Sequence, residues 1–147
     1  MSPHDRAVEA FADVFERFGY LVATSTGRSP EGLTVRIELP GEDTYVEPDI
    51  VLYDRQTRRI VFGVEIEDTL PDKQHRTQWL RHIRALGDPR RYMLAFSSDV
   101  APTSIDRLAL YLELHISGVP AETHVCTYEL KGNRLVAAHP VSPSLSA

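Results

Sequence analysis

The segment Glu47 to Asp68, EPDIVLYDRQTRRIVFGVEIED, constrains the fold more than any other part of the chain. Two runs rich in β-branched and aromatic residues flank the polar stretch Asp54 to Arg59, which marks two strands and a reversal. Folding about Thr57 sets Ile50 opposite Val64, Leu52 opposite Phe62, Asp54 opposite Ile60 and Asp49 opposite Glu65. Side chains alternate across a strand with period two. One face therefore carries Ile50, Leu52, Ile60, Phe62, Val64 and Ile66, and is expected to be core. The other carries Asp49, Val51, Tyr53, Val61, Gly63, Glu65 and Glu67, with three carboxylates at one end.

Residues directly opposite in such a pair have Cβ atoms about 4.5–5.5 Å apart. Two carboxylates that close repel unless a shared proton or a cation neutralises them. Mg²⁺ or a similar hard cation takes oxygen ligands, commonly one or two carboxylates with waters and substrate phosphate. The backbone carbonyl of Ile66, between the two glutamates, is a further candidate ligand. Val51 and Val61 share the acidic face and imply that it is partly covered, which raises the cost of charge there. The competing reading is an ordinary half-exposed strand alternating acidic and apolar residues.

The remainder of the chain frames this hairpin. With 147 residues it suits one domain, expected over residues 1–139, with a loose polar tail at 140–147. Helical spacing of Val8, Phe11, Ala12, Phe15 and Phe18 predicts a first helix capped by Asp5 and ended by Gly19. Strands are expected at Tyr20–Thr24, Leu33–Leu39, Asp49–Tyr53, Ile60–Glu67 and Tyr92–Phe96. A second helix opens at Pro71, with Trp79, Leu80, Ile83 and Leu86 as its apolar stripe and Gly87 as its stop. A third runs from Thr103 to His115, with Ile105, Leu108, Tyr111 and Leu112 in register. Thr123–Leu130 and Arg134–Ala138 close as a hairpin around Gly132-Asn133. Helices distributed among strands in this way predict an α/β fold with a mixed central sheet flanked by helices.

Net charge is −5, which argues against a protein coated with positive charge for non-specific nucleic-acid binding. Its distribution is uneven. Residues 1–54 carry net −7, residues 55–91 net +4 and residues 92–147 net −2. The basic middle segment is either a binding face or a solvated helix. One cysteine, Cys126, excludes an internal disulfide and a cysteine-rich zinc module, and reads as a core residue. No apolar run approaches the roughly 20 residues of a membrane helix. The N-terminus lacks the basic start and apolar centre of a signal peptide, so a soluble, cytoplasmic protein is expected.

Pro48-Asp49, followed after a short hairpin by Glu65-Ile66-Glu67, resembles the motif of the PD-(D/E)xK nuclease superfamily. The order helix, three-stranded meander, helix, strand is similar to that family's restriction-endonuclease-like core. The resemblance implies a DNA endonuclease dependent on Mg²⁺ or Mn²⁺, with Asp49 and Glu65 as metal-binding carboxylates. Glu9, ten residues before Gly19-Tyr20, matches the first-helix acid that joins them in resolvase-like members. A homodimer would supply the two sites that cutting both strands requires.

The family's lysine falls at Glu67, although some restriction enzymes of this fold work with glutamate there. That lysine positions the attacking water and steadies developing charge. Lys73, at the start of the next helix, is the candidate replacement. On the same helix Gln78 resembles the glutamine that follows the family's lysine, and Arg76, Arg81 and Arg84 are candidate phosphate contacts. His75 and His82 share a face, yet no carboxylate at helical spacing completes a zinc motif. Two functional readings stand at this point, with an unrelated α/β domain as a third possibility. One is a metal-dependent nuclease. The other keeps the nuclease fold as a nucleic-acid- or protein-binding module whose chemistry is lost.

Overall fold

The computed structural model describes residues 1–143. Ser2 opens the chain's first helix, α1 (Pro3–Arg17), by accepting the Asp5 backbone N–H at 3.1 Å. Pro3, whose missing N–H costs nothing in a first turn, follows it. The cap therefore lies three residues before the expected Asp5, because a serine preceding proline satisfies the exposed donors first. The chain continues as β1 (Leu21–Thr24), β2 (Ile37–Glu38), β3 (Tyr45–Val46), β4 (Ile50–Tyr53) and β5 (Ile60–Glu67). Next come α2 (Lys73–Leu86), β6 (Tyr92–Ser97), α3 (Ser104–Ile116), β7 (His124–Lys131) and β8 (Arg134–Pro140).

Six strands form one mixed, curled sheet in the order β1-β4-β5-β6-β7-β8, and β2 and β3 pair separately. β1, β4 and β5 are antiparallel neighbours, β5, β6 and β7 are parallel, and β8 returns antiparallel to β7. The fold class is thus mixed α/β, with three α-helices among the described residues. The Leu33–Leu39 strand shrinks to Ile37–Glu38, since its only partner is the two-residue β3. At the other end, β8 runs to Pro140, and the Val141 N–H donates to the Val125 carbonyl at 2.9 Å. Paired structure therefore extends past residue 139. Among the described residues no helix is long and apolar enough to cross a membrane.

The β4–β5 hairpin keeps the expected register from Ile50↔Val64 to Leu52↔Phe62 and then shifts, so that Ile60 faces Tyr53 and not Asp54. This bulge sends Ile60 to the face opposite Phe62 and Val64. Arg91 secures the irregular segment. Its guanidinium donates to the carbonyls of Ile60 at 2.6 Å, Val61 at 3.3 Å and Leu86 at 2.5 Å. The last of these is an otherwise open carbonyl at the end of α2.

Both faces of the sheet are core, so the acidic face is covered more fully than Val51 and Val61 alone implied. Ala7, Val8, Phe11 and Ala12 of α1 pack on Ile50, Leu52, Val64 and Ile66. The acidic face lies under α2 and α3, with Val51 and Tyr53 against Trp79, Ile83 and Leu86. Gly63 permits this approach, since a Cβ there would sit 3.0 Å from Leu86 Cδ1. Asp72 caps α2 by accepting the His75 N–H at 2.9 Å, and Gly87, at φ 83°, ends it. The second stripe differs from the expected one: His82 is buried and Leu80 is exposed. On α3, capped reciprocally by Thr103 and Asp106, Leu110 and Leu114 face the core while Ile105 and Leu112 face outward. Cys126 is half-buried against Met93, and burial pushes its thiol up to about 12.

A candidate active site of buried carboxylates

The end of the β4–β5 pair brings Asp49 and Glu65 together, as the hairpin register implies. Their contact is reciprocal. The Asp49 backbone N–H donates to Glu65 Oε1 at 3.0 Å, and the Ile66 N–H donates to Asp49 Oδ2 at 2.9 Å. The Ser25 N–H donates to the Asp49 carbonyl at 2.8 Å, tying the same residue to the end of β1. Asp49 is thus fixed by backbone on both sides, and its carboxylate has little freedom to leave. Ser25 Oγ donates to Asp49 Oδ1 at 3.4 Å.

Glu65 and Glu67 are each only 6% exposed, well below what is usual for glutamate. Burial raises the Glu65 carboxyl well above its ordinary value, and the neighbouring Asp49 adds to the shift. Burial also raises Glu67, but Trp79 and His75 oppose it. The Trp79 indole Nε1 donates to Glu67 Oε1 at 2.9 Å, and His75 stacks on Trp79 with ring centroids 6.1 Å apart. The two glutamates are therefore held differently. Glu65 shares its charge problem with Asp49, whereas Glu67 has a neutral donor of its own.

His4 is the α1 side chain that reaches the cluster. Its Nε2 lies 3.1 Å from Asp49 Oδ2, and its Nδ1 lies 3.3 Å from Asp5 Oδ1. Hydrogen bonding to Asp49 raises the His4 pKa to about 9, against the opposing effect of burial. His4 is then a cation at neutral pH and neutralises part of the cluster. The sequence gives little hint of this beyond Ser2-Pro3, a helix start that sets His4 in the first turn. Glu9, the expected helix acid, is engaged elsewhere. It accepts from Thr26 Oγ1 at 2.6 Å and from Arg28, which also pairs with Asp13 and Glu16.

The α2 side chains divide. Arg76 pairs with Glu113 at 2.9 Å, and Arg84 pairs with Glu42 at 2.8 Å and the Pro40 carbonyl at 3.2 Å. Lys73, Gln78 and Arg81 are exposed. α2 therefore does not present its arginines as one strip. His82 is 1% exposed, its Nδ1 lies 2.7 Å from the Tyr92 hydroxyl, and burial pushes its pKa down to about 4. It is a neutral core residue.

Among the described residues no group of three or more His, Cys, Asp or Glu side chains is arranged to hold a metal ion. What the site offers is a pair, Asp49 and Glu65, with the Ile66 peptide between them and Glu67 beyond. The chain matches no family model, no curated protein and no solved structure.

Proposed function

We propose that this protein is a divalent-metal-dependent DNA phosphodiesterase on a restriction-endonuclease-like core. The observation that carries the reading is the buried Asp49–Glu65 pair at the end of a hairpin. Like charges held together by backbone bonds in a covered site are costly, and such perturbed clusters mark functional sites. The order α1, the β1-β4-β5 meander, α2 and β6 agrees with that core.

The donor set fits Mg²⁺ or Mn²⁺. Both prefer oxygen, and Mg²⁺ commonly keeps several waters beside one or two carboxylates. Asp49 and Glu65 would hold the ion, with the Ile66 carbonyl as a third oxygen. When bound, it lowers the pKa of water and polarises a phosphoryl oxygen. The chain's own residues do the remainder. Backbone donors fix Asp49, the protonated His4 offsets negative charge beside it, and Trp79 holds Glu67 with one carboxylate oxygen free to accept from water. Calorimetric titration of Mn²⁺ into the wild type and Asp49→Asn tests the reading. Binding to the wild type that disappears in the variant supports it, and no binding to either protein counts against it.

A second reading, a fold retained for binding alone, is favoured by one observation. Glu67 stands at the lysine position, and among the described residues no lysine or arginine of α2 pairs with the carboxylates, Lys73 being exposed and Arg76 paired with Glu113. Glu67→Lys separates the two. A weakened enzyme gains cleavage from the change, and a binding module does not.

A further inference from the structure

The carboxyl ends of the parallel strands β5, β6 and β7 open into a cleft of about 480 Å³ beside the carboxylate site. Such crevices, outside the carboxyl ends of parallel strands, are where α/β sheets bind ligands. Pro3 and Arg6 of α1 form one wall, flanking the helical turn that carries His4 to Asp49. Asp68, the residue after Glu67, and Ser97, at the end of β6, form another.

Arg6 makes no side-chain hydrogen bond or ion pair among the described residues. Its Nε is buried without a hydrogen-bond partner, although most buried polar atoms have one. No ion pair engages its guanidinium among the described residues, even though Asp68, Asp99 and Glu129 line the same cleft. Those three acids are exposed on the rim, where water screens them. Arg6, Ser97 and Ser98 are half-buried and form the interior. A guanidinium and two hydroxyls lining one cleft are donors for a planar or tetrahedral oxyanion.

We infer that this cleft is a phosphate subsite, in which Arg6 binds the nucleic-acid phosphate next to the one at Asp49 and Glu65. The inference rests on the phosphodiesterase reading and names the cation which that reading lacks on α2. It places the bound strand along the sheet end, from β4 across β5 to β7. The contact positions the backbone without reading base sequence. Because Asp49, Glu65 and Glu67 lie beside the path of the strand, the subsite fills only when a divalent cation at Asp49 and Glu65 offsets their charge.

The test uses the full chain and a short fluorescein-labelled DNA duplex in Ca²⁺, with affinity read by anisotropy over a salt series. Mn²⁺ calorimetry and thermal unfolding are run on the same samples. Arg6→Gln should weaken duplex binding about tenfold and reduce the salt slope by about one. Arg6→Lys should recover part of the loss, and both variants should bind Mn²⁺ and unfold as the wild type does. Wild-type duplex affinity and salt slope in Arg6→Gln, with Mn²⁺ binding intact, would overturn the subsite and leave the metal site standing. A wild type that binds Mn²⁺ but no duplex overturns it too. A wild type that binds neither removes both readings.

Discussion

Trp79 Nε1 donates to Glu67 Oε1 at 2.9 Å, linking the buried face of α2 to the last residue of β5. Removing the donor in Trp79→Phe leaves a buried carboxylate without its neutral partner, a defect that costs roughly 1–3 kcal/mol, plus a further amount for the smaller ring. The lost bond favours the ionised form, so the Glu67 pKa rises further in the variant. Urea unfolding should therefore show a larger deficit at pH 8 than at pH 5.

His4 gives the alkaline limb of stability its sign. Its folded pKa, about 9, is above the ordinary 6.5, so its contribution is complete below pH 6.5 and lost as pH rises through 9. The side chain is 32% exposed, and screening reduces the effect to about 1–2 kcal/mol. His4→Gln should flatten the fall in unfolding free energy between pH 6.5 and 9.

On the proposed function, metal uptake at Asp49 and Glu65 should release protons, because burial raises the Glu65 carboxyl and His4 stands as a cation beside Asp49. Mn²⁺ titrations in buffers of different ionisation enthalpy should give different apparent enthalpies. Affinity should rise with pH, and His4→Gln should bind Mn²⁺ several-fold more tightly at pH 7 by removing the competing cation.

His82 governs part of the acid limb. Burial lowers its pKa to about 4, so stability present above pH 6.5 is lost as pH falls towards 4. The shift corresponds to a loss of about 3 kcal/mol over that range. His82→Phe should remove this slope between pH 6.5 and 5, read by chemical unfolding at each pH.

Arg91→Ala should cost about 2–3 kcal/mol, since one guanidinium serves three carbonyls, at the β5 bulge and the end of α2. Arg91→Lys should recover little, because an ammonium cannot span the same fork. Denaturant midpoints of the two variants measure the difference.

The hairpin was legible because strand periodicity and a polar reversal fix register locally, and register alone puts Asp49 opposite Glu65. The bulge at Ile60 was not, because nothing within the hairpin needs it; its carbonyls are taken by Arg91, which arrives from the chain before β6. The extent of burial on the acidic face was hidden for a similar reason. Glu65 and Glu67 mark a strand face as polar, and only the arrival of Trp79 and α2 covers it. His82 also defeats a stripe drawn from apolar residues, since its polarity is met by Tyr92, a partner on another element. Glu9 and His4 show the limit of motif spacing. The spacing reaches the correct helix but not the side chain that turns towards Asp49.

β5 pairs antiparallel with β4 and parallel with β6, and this difference should order the events of folding. Asp49 and Glu65 come from one hairpin, whose closure involves short sequence separations and is fast. Trp79 reaches Glu67 only after the crossover through α2 has docked. Until then the chain must carry Glu67 beside Glu65 without its indole donor. Mild acid, which lowers the charge on these carboxylates, should shorten that stage, so the refolding rate of this protein should depend on pH through its carboxylate cluster.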